Sequence, residues 1–384
     1  MFAKRTHWEL STNKITTILE SLREKGVPIF DLTESNPTRC QFDYLRPDLL
    51  EGLSAVQNLR YLPSPKGNLP ARETICAYYR TKNIHLDPEQ IFLTASTSEA
   101  YSFLFRLLAD PQESVLFPCP SYPLFSFLVD LNDLKYEFYP LTYESHGWRI
   151  DLEGLWESLT PETRAVALVN PNNPTGSFVQ ESELTQINGI CRNRALALIS
   201  DEVFLDYVFD GEAAPLSLAG NKDVLTFVLS GISKGWGLPQ MKLGWIVVNG
   251  PRETVKAAAE RLEIICDTYL SVNTPVQSAL PKWLESRAEI QQEIGERIQR
   301  NRNFLFSQSA CTCLRSAGGW YAVLKFAKNY TEEALVEELL RKDRVFVHPG
   351  YFFDFAEEPY LVLSLLPSEE IFQEGIKRLV RRLG

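Results

Sequence analysis

From about residue 68 onward, short apolar runs alternate with longer amphipathic stretches. The runs are IFLTA (91–95), SVLF (114–117), KYEFY (135–139), AVALVN (165–170), LALIS (196–200), VLTFVLS (224–230) and LGWIVV (243–248). Each has strand length. Most are apolar at consecutive positions rather than at every second one, the pattern of strands buried on both faces. The stretches between them have helical or loop character; SEAYSFLFRLLAD follows the first run and ends before Pro111. This alternation predicts an α/β fold, a large domain with a mostly parallel sheet covered by helices.

After Pro251 the pattern changes. Residues 251–266 and 282–308 are charged and rich in Ala, Leu, Glu and Arg, with a helical period. A strand pair follows at WYAVLKF (320–326) and YLVLSLL (360–366), separated by the helical TEEALVEELLRK and the turn VHPGYFF. These features predict a smaller α+β C-terminal domain. The expected division is 31–270 for the large domain and 271–384 for the small one. The N-terminal segment 1–30, helical over about 8–25, is expected to join the small domain.

Composition narrows the class. The 384 residues are 45% hydrophobic, enough for a large core. The net charge of −10 is spread along the chain without a basic run, so neither nucleic acid nor an anionic membrane is an expected partner. The first thirty residues lack the apolar core of a signal peptide, and no apolar run approaches the roughly 18 residues of a bilayer span. A cytoplasmic protein is expected. The cysteines at 40, 76, 119, 191, 266, 311 and 313 form no zinc-type pairs, and 311 and 313 are too close for the usual ligand spacing. Reduced thiols and no metal follow.

In open α/β sheets, ligands bind beyond the carboxyl ends of the strands, so the residues that follow each run carry the candidate chemistry. Ser96-Thr97-Ser98-Glu99 opens a helix, whose free N–H groups and positive dipole end suit a phosphate; taken alone, an ordinary helix cap explains it as well. Asn170-Pro171-Asn172-Asn173-Pro174-Thr175-Gly176 forms a stiff, sharply turning loop. Asp201-Glu202 places carboxylates at the next strand end, either to cap a helix or to pair with a cation in a cleft. Gly231-Ile232-Ser233-Lys234-Gly235-Trp236-Gly237 holds a lysine between glycines. A lysine desolvated in a cleft loses proton affinity and becomes nucleophilic toward carbonyl carbon. Four such signals at successive strand ends point to one site.

Together these motifs resemble the class I/II aminotransferases, pyridoxal-5′-phosphate (PLP) enzymes of fold type I related to aspartate aminotransferase. The likeness runs from about Asp31 to the C-terminus, with the Asn-Pro-x-Asn-Pro-Thr-Gly loop, the Asp-Glu pair and the Ser-Lys in order. It implies that Lys234 holds PLP as a Schiff base and moves protons, and that Asp201 pairs with the pyridine nitrogen. It also implies that Asn173 bonds the ring's 3′-oxygen, that Tyr122 stacks on the ring, and that Ser96, Thr97 and Ser98 cradle the phosphate. Tyr61 matches a tyrosine that reaches the phosphate of a neighbouring subunit, which implies a homodimer with shared sites. The implied reaction moves an amino group from an amino donor to a 2-oxo acid. The alternative is another PLP carbanion reaction (lyase, decarboxylase or cyclase) on an atypical amine.

Several positions depart from the family pattern. Phe204 stands where many members have a tyrosine that donates to the 3′-oxygen. Gly231 replaces a serine, with Ser230 or Ser233 as alternative hydroxyls. Lys242 replaces a phosphate-binding arginine, keeping the charge without the bidentate fork. Val362 stands where an arginine grips the substrate carboxylate, a contact whose loss costs roughly 2–5 kcal/mol unless replaced. The loop Ser35-Asn36-Pro37-Thr38-Arg39 matches one that lines the substrate pocket, so Ser35 and Arg39 are the candidate substrate contacts, Arg39 as the replacement cation.

Overall fold

The computed structural model describes residues 1–383 except Leu45, His146, 309–311, 328–329 and Glu358, so Cys311 lies outside the described residues. The large sheet has eight strands in the order Ile91–Thr94, Gly244–Asn249, Thr226–Gly231, Ala197–Asp201, Thr163–Val169, Ser114–Cys119, Lys135–Glu144 and Gly147–Ile150. The five from Thr226–Gly231 to Lys135–Glu144 are mutually parallel. The Gly244–Asn249 strand lies antiparallel to both its neighbours.

Consecutive apolar residues serve two cores because strand side chains alternate faces. Phe227 and Leu229 pack with Ala100, Leu104, Ala258 and Leu262 of the helices Thr97–Leu108 and Arg252–Tyr269. Val228, between them, faces the opposite core with Ile75, Tyr79 and Ile187 of Leu69–Arg80 and Glu181–Arg194. The run predicted at 135–139 continues to Glu144 and folds back as a hairpin on Gly147–Ile150. Pro140 and the polar residues around it hide that continuation, and they are tolerated because the outer end of this strand is largely exposed.

The small sheet is antiparallel throughout, in the order Thr312–Cys313, Tyr321–Lys325, Tyr360–Ser364 and His348–Pro349. The N-terminal helix is Lys14–Glu24, shorter than the 8–25 expected, and its Ile15, Ile18 and Leu19 share a core with Leu361, Leu363 and Ile376. Phe30–Asp31 then pairs in parallel with Val345–Phe346, and Ser364 N donates to Leu32 O at 2.9 Å or less (2.7 Å). These bonds deliver the 32–40 loop to the end of the Tyr360–Ser364 strand.

The helix expected at 282–308 begins earlier, as Thr274–Phe306, and runs through Pro281. A proline inside a helix costs about 3 kcal/mol. Here the first turns bury Val276, Ala279, Leu280 and Trp283 in the large-sheet core, which holds the helix together across the break. Its later residues Ile290, Ile294, Ile298 and Leu305 belong to the core of the small sheet. Among the described residues, no helix is long and apolar enough to cross a membrane, and no cluster of His, Cys, Asp and Glu is arranged to hold a metal.

Asn301 fixes this helix to the C-terminal strand: it is fully buried, and its amide nitrogen donates to Leu365 O (2.9 Å) and Pro367 O (2.8 Å). Asn301→Leu leaves both carbonyls buried without a donor and is expected to cost about 2–4 kcal/mol. The check is a lower urea midpoint with an unchanged m-value.

Candidate functional site

The carboxyl ends of the parallel strands meet through backbone bonds. Asn170 N donates to Asp201 O (2.8 Å), and Glu202 N donates to Leu229 O (2.8 Å). Asp201 and Glu202 point opposite ways, as neighbours at a strand end must. Glu202 is an anchor: its carboxylate accepts from Ser217 Oγ (2.6 Å), Leu218 N (2.7 Å) and Ser200 Oγ (3.1 Å), and burial pushes it up to about 7. Asp201 accepts only from Val203 N (3.2 Å) and Tyr101 Oη (3.3 Å), and no cation pairs with it among the described residues. Burial raises its carboxyl to about 6, against the pull of those two bonds.

The lysine segment leaves the sheet at Gly231 and forms the short turn Ile232–Gly235. A Cβ on Gly231 would lie 2.9 Å from Leu243 O and 3.1 Å from Gly244 Cα. The serine usual in the family has no room here, so this departure follows from the close approach of the neighbouring strand. Three carbonyls around the turn are held from outside it: Lys234 O by Tyr207 Oη (2.9 Å), Gly235 O by Gln291 Nε2 (2.5 Å) and Gly237 O by Tyr44 Oη (2.5 Å). Gln291 also donates to Asp206 Oδ2 (3.0 Å), which accepts from Tyr78 Oη (3.0 Å), while Lys82 pairs with Asp206 Oδ1.

Lys234 Nζ sits 5.2 Å from the centre of the Trp320 ring. Burial lowers its pKa to about 8, opposed by the charges of Glu34 and Cys40 and assisted by Lys242. At neutral pH roughly a tenth of such an amine is unprotonated, far more than for a solvated lysine.

Around this pair stand the other expected residues. Asn173 is buried three residues after Asn170, and its Oδ1 has no hydrogen-bond partner. Tyr122 packs edge-on against Phe125, and burial together with nearby Tyr321 and Asp201 raises its phenol to about 12. Ser96 Oγ accepts from Glu99 N (3.2 Å) and caps the Thr97–Leu108 helix, so its side chain serves the helix itself. The N-terminus of that helix, with Thr97 and the exposed Ser98, abuts the 242–244 segment: a Cβ on Gly244 would lie 3.2 Å from the Ser96 carbonyl carbon. Lys242 is exposed there. Ser35 lies beside the Tyr321 hydroxyl.

Two expected residues stand apart. Tyr61 is 78% exposed, beside exposed Leu59 and Leu62. Arg39 is 74% exposed, with its guanidinium 3.7 Å from Glu34 Oε2. Phe204 packs on Trp320 and Tyr321, and Tyr207, whose hydroxyl is taken by Lys234 O, does not replace the missing donor. No local sequence motif marks Glu34, Tyr44, Gln291 or Trp320, because none lies at a strand end of the large sheet.

The family model for aminotransferase class I and II matches residues 27–379. This chain belongs to that family. Glutamate-pyruvate aminotransferase AlaA of Haemophilus influenzae is 29% identical over 377 residues, covering 94% of this chain and 92% of the relative. The S-alkyl-thiohydroximate lyase SUR1 of Arabidopsis thaliana is 34% identical over a shorter stretch of 224 residues, 57% of this chain and 48% of the relative. The solved alanine aminotransferase of Pyrococcus furiosus superposes with a TM-score of 0.89 over 99% of both chains at 24% identity.

Aminotransferases of this family depend on PLP, and the residues of this aminotransferase fit it. Asp201 is a buried carboxylate with no cation partner among the described residues, which suits a protonated ring nitrogen. Buried Asn173 has an amide oxygen with no partner, and Lys234 presents a desolvated amine. A helix N-terminus with a lysine beside it suits the phosphate. In the cofactor-free aminotransferase, labelling of Lys234 by an amine-directed reagent is expected to rise with pH through a midpoint near 8. Peptide mapping reads this directly, and a midpoint above about 10, that of a solvated lysine, would contradict it.

Proposed function

We propose that this aminotransferase holds PLP on Lys234 and moves an amino group from an amino donor to a 2-oxo acid. The observation that carries this reading is that neighbouring parallel strands end in a buried carboxylate at Asp201, with no cation partner among the described residues, and in the turn that holds a desolvated amine at Lys234. When bound, PLP supplies an electron sink for negative charge developing at the donor's Cα. Asp201 keeps a proton on the ring nitrogen, because a buried carboxylate is most stable beside a positive partner. Asn173 donates to the ring oxygen, and Tyr122 covers one face of the ring. The N-terminus of Thr97–Leu108, with Ser96, Thr97, Ser98 and Lys242, takes the phosphate.

With PLP bound, Lys234 Nζ would be the base that takes the proton from the donor's Cα and the acid that gives it back. The three bonds to the carbonyls at Lys234, Gly235 and Gly237 keep that nitrogen in reach of both carbons, a matter of large rate factors when positions drift by about 1 Å. Arg39 is read as the cation that meets a substrate carboxylate. It shares the 32–40 loop with Ser35, and its loose contact to Glu34 at the solvent edge leaves it free to change partner. Exposed Tyr61, Leu59, Leu62 and Val56 support a homodimer in which this face is covered and Tyr61 completes the neighbour's phosphate site. Cys40, Cys76, Cys119, Cys191 and Cys266 are free, buried thiols, which agrees with a cytoplasmic setting.

A second reading, elimination from the donor, is favoured by the stretch similar to a lyase together with Val362 at the carboxylate position. The two readings separate in a single turnover: elimination would release ammonia, whereas amino transfer would release none.

Lys234→Ala is expected to abolish both the visible absorbance of bound cofactor and the borohydride-trapped adduct. Trapping at the native site in that variant would end the Lys234 assignment. Arg39→Ala is expected to raise the KM of a carboxylate-bearing substrate at least about tenfold with the trapped adduct intact. An unchanged KM removes Arg39 from the site.

A further inference from the structure

Trp320 presents the face of its indole to Lys234 Nζ, which lies 5.2 Å from the ring centre. The ring is fully buried and packed by two further aromatic side chains. Phe204 meets it at 5.2 Å and 67°, and Tyr207 at 5.1 Å and 65°, both in T-shaped contacts. Backbone bonds fix the residue from two directions: Gly319 N donates to Tyr207 O (2.8 Å), and Leu365 N donates to Trp320 O (2.8 Å). Gly318 makes the first approach possible, because a Cβ there would collide with Tyr207 O. Tyr207 also donates to Lys234 O (2.9 Å), so the ring and the lysine share one support.

An indole is less favourable at this point than a phenyl ring. Its Nε1 is buried with no hydrogen-bond partner among the described residues, a penalty that phenylalanine would not carry. What an indole adds is its π face, which binds a cation more strongly than that of any other aromatic side chain. The cation within its reach is the amine of Lys234. Burial works against the charged form of that nitrogen, and the ring face works for it.

We propose that the Trp320 ring is a further part of the catalytic site: its face binds the charged form of Lys234 Nζ and stabilises it when that nitrogen takes the proton from the donor's Cα. In that step the C–H bond breaks and its electron pair stays with the donor's carbon. The lone pair of Nζ forms the new N–H bond, so a cation appears over the indole. An ion pair would hold the proton too firmly for its return, whereas the weaker pull of a ring leaves the nitrogen able to give it back. The catalytic part of the proposal rests on the amino-transfer reading; the binding of the ammonium form does not.

Other groups act on the same nitrogen. Glu34 and Cys40 reach it from the 32–40 loop and Lys242 from the 242–244 segment. Asp201 ends the neighbouring strand, Tyr207 packs on the ring, and Tyr321 follows it in the chain. All of these stay in place when only the electron density of the ring is changed.

Tryptophans with increasing numbers of ring fluorines, incorporated at position 320 by nonsense suppression, nearly keep the shape of the ring while withdrawing its negative face. In the cofactor-free enzyme, the pH midpoint for amine-directed labelling of Lys234 is expected to fall stepwise along this series, by about half a unit to one unit in all. In the PLP-loaded enzyme, single turnovers with an amino donor are expected to slow about two- to tenfold along the series, with the borohydride-trapped adduct intact. A ring that only excludes water gives no shift, because fluorination leaves its volume nearly unchanged. An unmoved or rising midpoint therefore overturns the inference and leaves amino transfer standing. A midpoint that falls while turnover keeps its rate overturns the catalytic part. No transfer from any donor overturns the amino-transfer reading, and the catalytic part with it.

Discussion

The site depends on the close approach of two antiparallel strands at Gly231 and Gly244, which pair directly in register. A side chain at Gly231 would strike Leu243 O, and one at Gly244 would crowd Ser230 O and the Ser96 carbonyl carbon. Because neither position carries a Cβ, three chain segments converge there. The first is the turn that presents Lys234, the second is the 242–244 segment with Lys242, and the third is the N-terminus of Thr97–Leu108. A cofactor with a reactive carbon at one end and a phosphate at the other needs the amine and the anion site at a fixed separation. Backbone packing at two glycines sets that separation more rigidly than long side chains could.

Burial does the electrostatic work once that geometry exists. It pushes Lys234 down and Asp201 up, each toward its neutral form, because neither has an ion-pair partner among the described residues. Such a pair is unfavourable for the protein alone and becomes favourable when a ligand brings a basic nitrogen to the acid and a carbonyl carbon to the amine. Glu202 shows the contrast. It is as buried as its neighbour, yet three donors occupy its oxygens, so it holds the 215–218 loop and offers nothing to a ligand.

The sequence made legible what lies within a few residues of a strand's end. Lys234, Asp201, Asn173 and the 96–98 turn could be found because α/β architecture places ligands there, and the apolar runs located the strands. Gly231 was legible as a departure but not as a necessity, since its cause is Leu243 O on another strand. Gln291, Tyr44 and Trp320 reach the lysine from far along the chain, and no local periodicity marks a residue that becomes important only through tertiary contact. The Gly147–Ile150 strand and the early start of Thr274–Phe306 were obscured by Pro140 and Pro281, where tertiary burial overrides the local cost of proline.

The long helix joins these parts into one mechanical unit. Its first turns belong to the core of the large sheet and its later turns to that of the small sheet, and Gln291 lies in the later stretch. From there the Gln291 amide bonds both the carbonyl beside Lys234 and Asp206, whose other contacts, Tyr78 and Lys82, come from the end of Leu69–Arg80 and the residues just after it. Tyr44, beyond the loop that carries Ser35 and Arg39, holds Gly237 in the same way. The backbone of the lysine turn is thus tied to the long helix and to the segment just after the 32–40 loop as well as to its own strand, so a shift of either core against the other reaches the turn through these bonds.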